Sequence, residues 1–258
     1  MNGKWLGLMR KGILNWSEKM KPELTTLESF YRKLITHNND RFRSFEHCYL
    51  FFQKIKKENS FSNNRDISML HLGFYLASWG MYRGSSFLLQ KDYKIYNKII
   101  EIILNKKYDD LWNFEKYISL NNIEHYVNLS WTLHKELLNE LILIRKEYYD
   151  YSKKSVKNKV SSILTTKIIM ATSGCLPAYD RFFMSGISKY NGHNEFKLIK
   201  TFSKNSIKQL FIFLIHNKKT LVNIQKKIKS KNGVKYPLMK LIDSYFWLIG
   251  FDEDNMKT

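Results

Sequence analysis

Acidic residues are scarce in this chain. Against 43 Lys and Arg there are 23 Asp and Glu, giving a formal net charge of +20 and a pI near 9.7. Such a balance disfavours a cationic partner and points first to a polyanion, above all nucleic acid. The chain is rich in Lys, Asn, Ile and Tyr, the composition an AT-rich genome imposes, but a bias towards Lys does not by itself deplete Asp and Glu. Cysteine is nearly absent: Cys48 and Cys175 cannot make a disulfide framework, so a reducing cytoplasm is the expected location. Long hydrophobic runs are missing too. The longest, such as Leu210–Ile215, fall far short of the roughly 20 residues of a membrane span. The first residues, MNGKWLGLMRKG, lack the apolar core of a signal peptide, and no membrane role is expected.

Chemical motifs are sparse as well. The seven histidines, at 37, 47, 71, 125, 134, 193 and 216, show no metal-ligand spacing, and there is no CxxC pair. No Walker loop and no GxGxxG is present. The expectation is a protein with no metal and no cofactor. Cys175 has no nearby His to make a nucleophile pair and reads as a buried structural thiol. Strand signals are few. Asn232-Gly233 follows a lysine run rather than joining two alternating segments, and no repeat at a solenoid period is visible.

Helical periodicity, by contrast, recurs along the whole chain. Leu24, Leu27, Tyr31 and Leu34 share a face after Pro22. Phe42, Phe45, Phe52 and Ile55 predict a second helix, ending in the polar tract Lys56–Arg65. Leu70, Phe74, Ala77 and Met81 predict a third. Tyr93, Tyr96, Ile99, Ile100 and Ile103 predict a fourth, and Asp109–Asn122 a short helix and loop. Leu137, Leu141, Ile144 and Tyr148 mark a long helix, and Ile207, Leu210, Phe211 and Leu214 another. Leu238, Leu241, Ile242, Tyr245 and Ile249 mark the last, with Gly250 as its C-cap. The expected fold is all-α, a compact multi-helix domain over residues 1–258 with nine or ten helices. It has two candidate lobes, 1–150 and 160–258, joined by a basic connection and flanking a cleft. Lys153, Lys154 and Lys157 lie in that connection, and Lys226, Lys227 and Lys229 in a second basic run. Each run reads either as a solvated linker or as a phosphate-binding surface.

Two low-charge islands stand out. Lys167–Ser188, KIIMATSGCLPAYDRFFMSGIS, carries only Asp180 and Arg181 as charges after its first residue. An acid at an apolar turn is costly unless it is paired or has work to do. Asp180 reads either as the N-cap of a helix starting at Arg181 or as a functional carboxylate. Ser68–Gln90, SMLHLGFYLASWGMYRGSSFLLQ, has Arg83 as its one formal charge. The chain uses 8 Arg against 35 Lys, so an Arg in each island is a chosen residue, suited to bidentate pairing or stacking. Gly80 and Gly84 permit either a close helix crossing, with Arg83 paired to an acid such as Asp180, or a chain break. In a break, Ser85 and Ser86 would cap a new helix beside an anion site.

The segment TKIIMATSGCLPAYDRFF resembles the stretch around the catalytic Asp in helix-hairpin-helix type DNA glycosylases and their bacterial relatives. There a catalytic Asp opens a helix soon after a proline-containing turn. Pro177, Tyr179, Asp180, Arg181 and Phe183 carry the match, and YPLMKLIDSYFWLIG resembles the closing helix of those relatives. Some of them defend bacteria by excising modified bases from phage DNA. TSGCLPAY stands where a glycine-rich hairpin would be, and the family's Schiff-base lysine lies further upstream of the Asp than Lys167 does here. The resemblance implies hydrolysis of the N-glycosidic bond of a flipped, modified base in double-stranded DNA. Asp180 would be the catalytic carboxylate, and Lys167 the candidate for a lyase step. Tyr82, Tyr179, Arg83, Arg181 and Ser85 would contact substrate; Trp79 is a further stacking candidate that reads better as core. Two other readings stay open: a non-catalytic nucleic-acid-binding protein, and a Mg²⁺-dependent nuclease using Asp180, Glu195 and Lys197 in the PD-(D/E)xK manner, although in that fold the residues sit on adjacent strands and here Asp180 and Glu195 each read as a helix start.

Overall fold

A computed structural model describes residues 21–36, 39–84, 86–149, 160–194, 196–228 and 233–255. The fold is all-α: among the described residues there are 11 α-helices, four short 3-10 helices and no strand. No helix among them is long and apolar enough to cross a membrane. The helices are α1 (Lys21–Thr36), α2 (Arg43–Glu58), α3 (Arg65–Ser78), α4 (Tyr96–Leu104), α5 (Asp109–Trp112), α6 (Phe114–Tyr117), α7 (Ile123–Tyr149), α8 (Ser162–Thr172), α9 (Arg181–His193), α10 (Lys204–Lys227) and α11 (Leu238–Asn255). The chain forms two compact units, each assembled from separated stretches. Unit 1 takes Met1–Asn38, Ile118–Ile123 and Tyr179–Thr258; unit 2 takes Asn39–Tyr117 and Glu124–Ala178.

In unit 2, α2 packs on α3 and α8, and α3 on α4. The polar tract at the end of α2 is mostly helical rather than loop: Asn59 ends the helix in the left-handed conformation at φ 48°, and a 3-10 helix, Phe61–Asn64, leads into α3. Tyr96, Ile99, Ile100 and Ile103 of α4 are buried as their spacing predicts. For α3 the predicted face is corrected: Leu70 and Phe74 are 49% and 61% exposed, while Met69, Leu72, Tyr75 and Leu76 are buried. The helix is apolar nearly all round, so two stripes fit its periodicity and packing chooses between them. A buried ion pair, Arg43–Glu46 at 3.0 Å, lies within α2.

The chain from Leu164 to Tyr179 is buried without a break. That burial is why α8 and the turn after it carry so little charge. Thr166 Oγ1 donates to the carbonyl of Ala178 at 2.9 Å, tying the far side of the proline turn to α8. Gln53 Nε2 donates to the carbonyl of Thr172 at 3.2 Å, supplying a donor for the helix end. Cys175 is buried, accepts from Ser173 Oγ at 3.2 Å, and has its thiol pKa pushed up to about 12 by burial; it is a structural thiol.

His134 of α7 is buried beside Thr165. Since the Thr165 hydroxyl gives its proton to the Ser162 carbonyl, His134 Nδ1–H is the donor to Thr165 Oγ1, at 2.8 Å. Burial, with a smaller contribution from Lys135, lowers its pKa to about 4. The unfolded chain therefore binds the extra proton between pH 6.5 and 4. Stability from this group is fully present above the unfolded value and is lost as pH falls through that window. Thermal unfolding followed against pH should show the midpoint dropping over that range, and His134→Gln should flatten the drop.

In unit 1, α9 and α11 pack most closely, with α1 and α10 against α11. Two glycines set that approach. A Cβ on Gly186 would sit 1.8 Å from the Phe246 carbonyl oxygen, and one on Gly250 would sit 2.0 Å from that of Phe182. The expected C-cap at Gly250 is thus corrected: α11 runs on to Asn255, and this glycine is a packing residue inside it. Around the crossing, Phe183, Tyr190, Phe213 and Phe246 form aromatic contacts with centroids 5.5–5.9 Å apart, edge-on except for the tilted Phe213–Phe246 pair. Tyr31 docks α1, with its hydroxyl 2.8 Å from Ser244 Oγ and its ring 4.6 Å from that of Tyr236. Glu28 of α1 pairs with Lys227 of α10 at 2.8 Å, and Lys240 pairs with Asp243 at 2.7 Å, buried within α11.

Candidate functional site

The proline turn delivers the chain to α9 through one strained residue. Tyr179 has φ 38°, a left-handed conformation that a bulky side chain rarely adopts. It is held there by burial. Its ring packs against Phe183 at 5.0 Å and Phe202 at 4.8 Å, and its hydroxyl donates to Ser206 Oγ in the first turn of α10 at 2.9 Å. The sequence reading of Tyr179 as a stacking wall is corrected by this burial: it is a clamp that fixes the backbone at the next residue, Asp180.

Asp180 is the N-cap of α9. Its Oδ1 accepts from the backbone N–H of Phe183 at 3.1 Å, while the side chain stays half-exposed. The start of a helix is a position at which acidic side chains are favoured. What results is a carboxylate held at the first turn of α9 and partly exposed. Arg181 follows it, exposed, with its guanidinium 4.6 Å from the Phe182 ring centroid.

Lys167, Tyr82 and Arg83 belong to unit 2, and Asp180, Arg181 and Tyr179 to unit 1. Lys167 is 2% exposed, with Nζ 5.1 Å from the Trp79 ring centroid. That placement makes it a cation packed on an aromatic face. Arg41 lies over the same indole at 5.8 Å, and the Phe42 ring meets it edge-on at 5.1 Å, so Trp79 is built into this cluster. Tyr82 is half-buried and shares a hydroxyl hydrogen bond with buried Tyr96. Gly80 and Gly84 both take left-handed backbone, at φ 71° and 61°, so the chain breaks after α3 rather than continuing into a helix crossing. Ser86 then caps a four-residue 3-10 helix, Phe87–Gln90, by accepting from the Leu88 N–H at 3.3 Å. Arg83 is exposed and its guanidinium folds back over Gly80.

Ser85, Lys153, Lys154, Lys157 and Lys229 lie outside the described residues, as does Glu195. Lys226 and Lys227 are exposed at the end of α10. Lys197 is exposed and donates to the Asn191 carbonyl just after α9. The strands on which a PD-(D/E)xK site is mounted are not found among the described residues, where Asp180 and Lys197 flank a helix instead. No cluster of three or more His, Cys, Asp or Glu that could hold a metal ion occurs among them either. Sequence reasoning missed one feature of unit 1, a cavity of about 300 Å³ between α1, α9 and α11. Leu27, Tyr190, Tyr245 and Ile249 line it together with Lys189 and His193, and none of the site residues expected from the sequence does.

No family model matches this chain, and neither does any curated protein or solved structure.

Proposed function

We propose that this protein is a DNA-binding base-excision enzyme, a glycosylase-like hydrolase acting on a modified base flipped out of double-stranded DNA. The observation that carries the reading is Asp180: a half-exposed carboxylate fixed at the start of α9 by a buried, strained Tyr179. Glycosidic hydrolysis asks for that kind of group. As the C1′–N bond breaks, the base leaves with the electron pair and takes up a proton, and positive charge develops on the sugar. A fixed carboxylate stabilises that charge, or takes the proton from the water that adds at C1′. Neither step needs a metal. Burial of Lys167 against Trp79 supports the hydrolytic form over one that ends in a lysine Schiff base. The surplus of lysine supplies the phosphate contacts.

A second reading, a non-catalytic DNA-binding protein, draws on the same hydrogen bond, since capping α9 is by itself a sufficient reason for an Asp. The test is incubation of the protein with duplexes carrying modified or unmodified bases in EDTA, followed by alkali to cleave at abasic sites. Alkali-dependent breaks support the enzyme. Binding without breaks across the modified bases supports the second reading.

A further inference from the structure

Positive charge is not spread evenly along this chain. Between Asp180 and Asp243 there are 14 Lys and Arg and a single acid, Glu195. Most of that excess surrounds α10, a 24-residue helix with six lysines and no acid. Its buried side is set by Ile207, Leu210, Phe211, Leu214, Leu221 and Ile224. At 3.6 residues per turn, Lys204, Lys208, Lys219 and Lys226 fall together within a sector of about 60°, off that buried side. Lys204, Lys219 and Lys226 are exposed, and among the described residues none of the three has an ion-pair partner. From Lys204 to Lys226 the stripe runs about 33 Å at 1.5 Å per residue. One turn of duplex DNA rises about 34 Å.

We infer that this lysine stripe of α10 is the surface that tracks the DNA phosphate backbone, an inference that rests on the function proposed above. Three observations converge on it. A helix that neutralised its own lysines would carry acids at i±3 or i±4, and α10 has none. A face that docked on anionic lipid would present large apolar side chains among its lysines, and among the described residues the exposed large hydrophobics lie off α10, at Ile67, Leu70, Phe74, Leu89, Tyr117, Leu120 and Leu143. The first turn of the stripe's helix is also tied to the segment that carries the candidate acid: Ser206, two residues after Lys204, accepts from the hydroxyl of Tyr179, the neighbour of Asp180. Backbone contacts placed there would set the register of the duplex with respect to that carboxylate.

The test is fluorescence anisotropy with a labelled, undamaged duplex of about two helical turns, titrated between about 50 and 200 mM salt. Three proteins are compared: wild type, Lys204→Gln/Lys219→Gln/Lys226→Gln, and a control, Lys54→Gln/Lys94→Gln/Lys106→Gln. The control removes the same charge from exposed lysines of unit 2. Loss of the stripe should lower the slope of log K against log salt by about 2 to 3, and the control by less than about 1. Equal losses from the two variants would overturn the stripe and leave DNA binding standing, since the charge would then act without location. An unchanged slope in the stripe variant, with base release intact in wild type, would likewise overturn this inference alone. A wild type that binds no duplex overturns both, and if it binds phosphatidylserine vesicles instead, the partner is a membrane surface.

Discussion

Asp180→Asn should lower base release by about 10²–10³-fold, the size of effect seen when one preorganised electrostatic group is removed from an active site. It should leave the fold and DNA binding nearly as they are. Asn keeps the size of the side chain and an oxygen that can accept the Phe183 N–H, and the two residues are about equal as N-caps. What disappears is the negative charge. Removing it weakens the interaction with the helix dipole by less than about 1 kcal/mol, whereas an oxocarbenium-like sugar loses its counter-charge. Asp180→Ala makes the complementary comparison, because it removes cap and charge together and should add a stability loss of about 1 kcal/mol. If Asp180→Asn releases base as fast as wild type, the carboxylate is a cap and nothing more. If wild type releases no base but cleaves strands with Mg²⁺, and Asp180→Asn loses that cleavage, the chemistry is phosphodiester hydrolysis.

The second large effect concerns folding. Gly186→Ala should destabilise the protein by on the order of 4 kcal/mol, at the upper end for a single substitution. The added Cβ would sit 1.8 Å from a backbone oxygen of α11, and backbone, unlike a side-chain tip, has no rotamer by which to withdraw. The two helices must move apart, and the aromatic contacts of Phe183 and Tyr190 with Phe246 loosen with them. Gly192→Ala, on the same helix, is the control. Its Cβ would meet nothing within 4 Å, so replacing glycine by alanine there should stabilise by up to about 1 kcal/mol. Urea midpoints measured on the two variants should move in opposite directions. Equal midpoints would mean that α9 and α11 do not cross at Gly186.

The helices were legible in the sequence wherever one apolar stripe had one polar counterpart, as at Tyr96, Ile99, Ile100 and Ile103. They were less legible where a helix is apolar all round. On α3 the residues Leu70 and Phe74 fit the period as well as Met69 and Leu72 do, and only the neighbours of the fold separate them. Glycine was ambiguous for a different reason. A C-cap and a close backbone approach both call for the missing Cβ, so Gly250 read as an end although it is an interior contact. At the candidate site, the Asp180 cap was visible in the Pro-Ala-Tyr-Asp-Arg order. The strain at Tyr179 was not, because nothing local asks a tyrosine to take φ 38°; Phe183, Phe202 and Ser206 impose it from along the chain. Low charge also misled at Arg83: its island is part core and part an exposed glycine turn. Lys226 and Lys227 stand in a contiguous basic run of the sequence, while the stripe from Lys204 emerges only at the helical period.

The central claim is that a carbon–nitrogen bond at the sugar is what this protein breaks. Mass spectrometry of the small-molecule fraction, after incubation of wild-type protein with base-modified duplex DNA in EDTA, tests it most directly. Wild type should yield free modified base, with the DNA strand full-length until alkali is added, and Asp180→Asn should yield none. Nucleotides or shortened strands with no free base would contradict it.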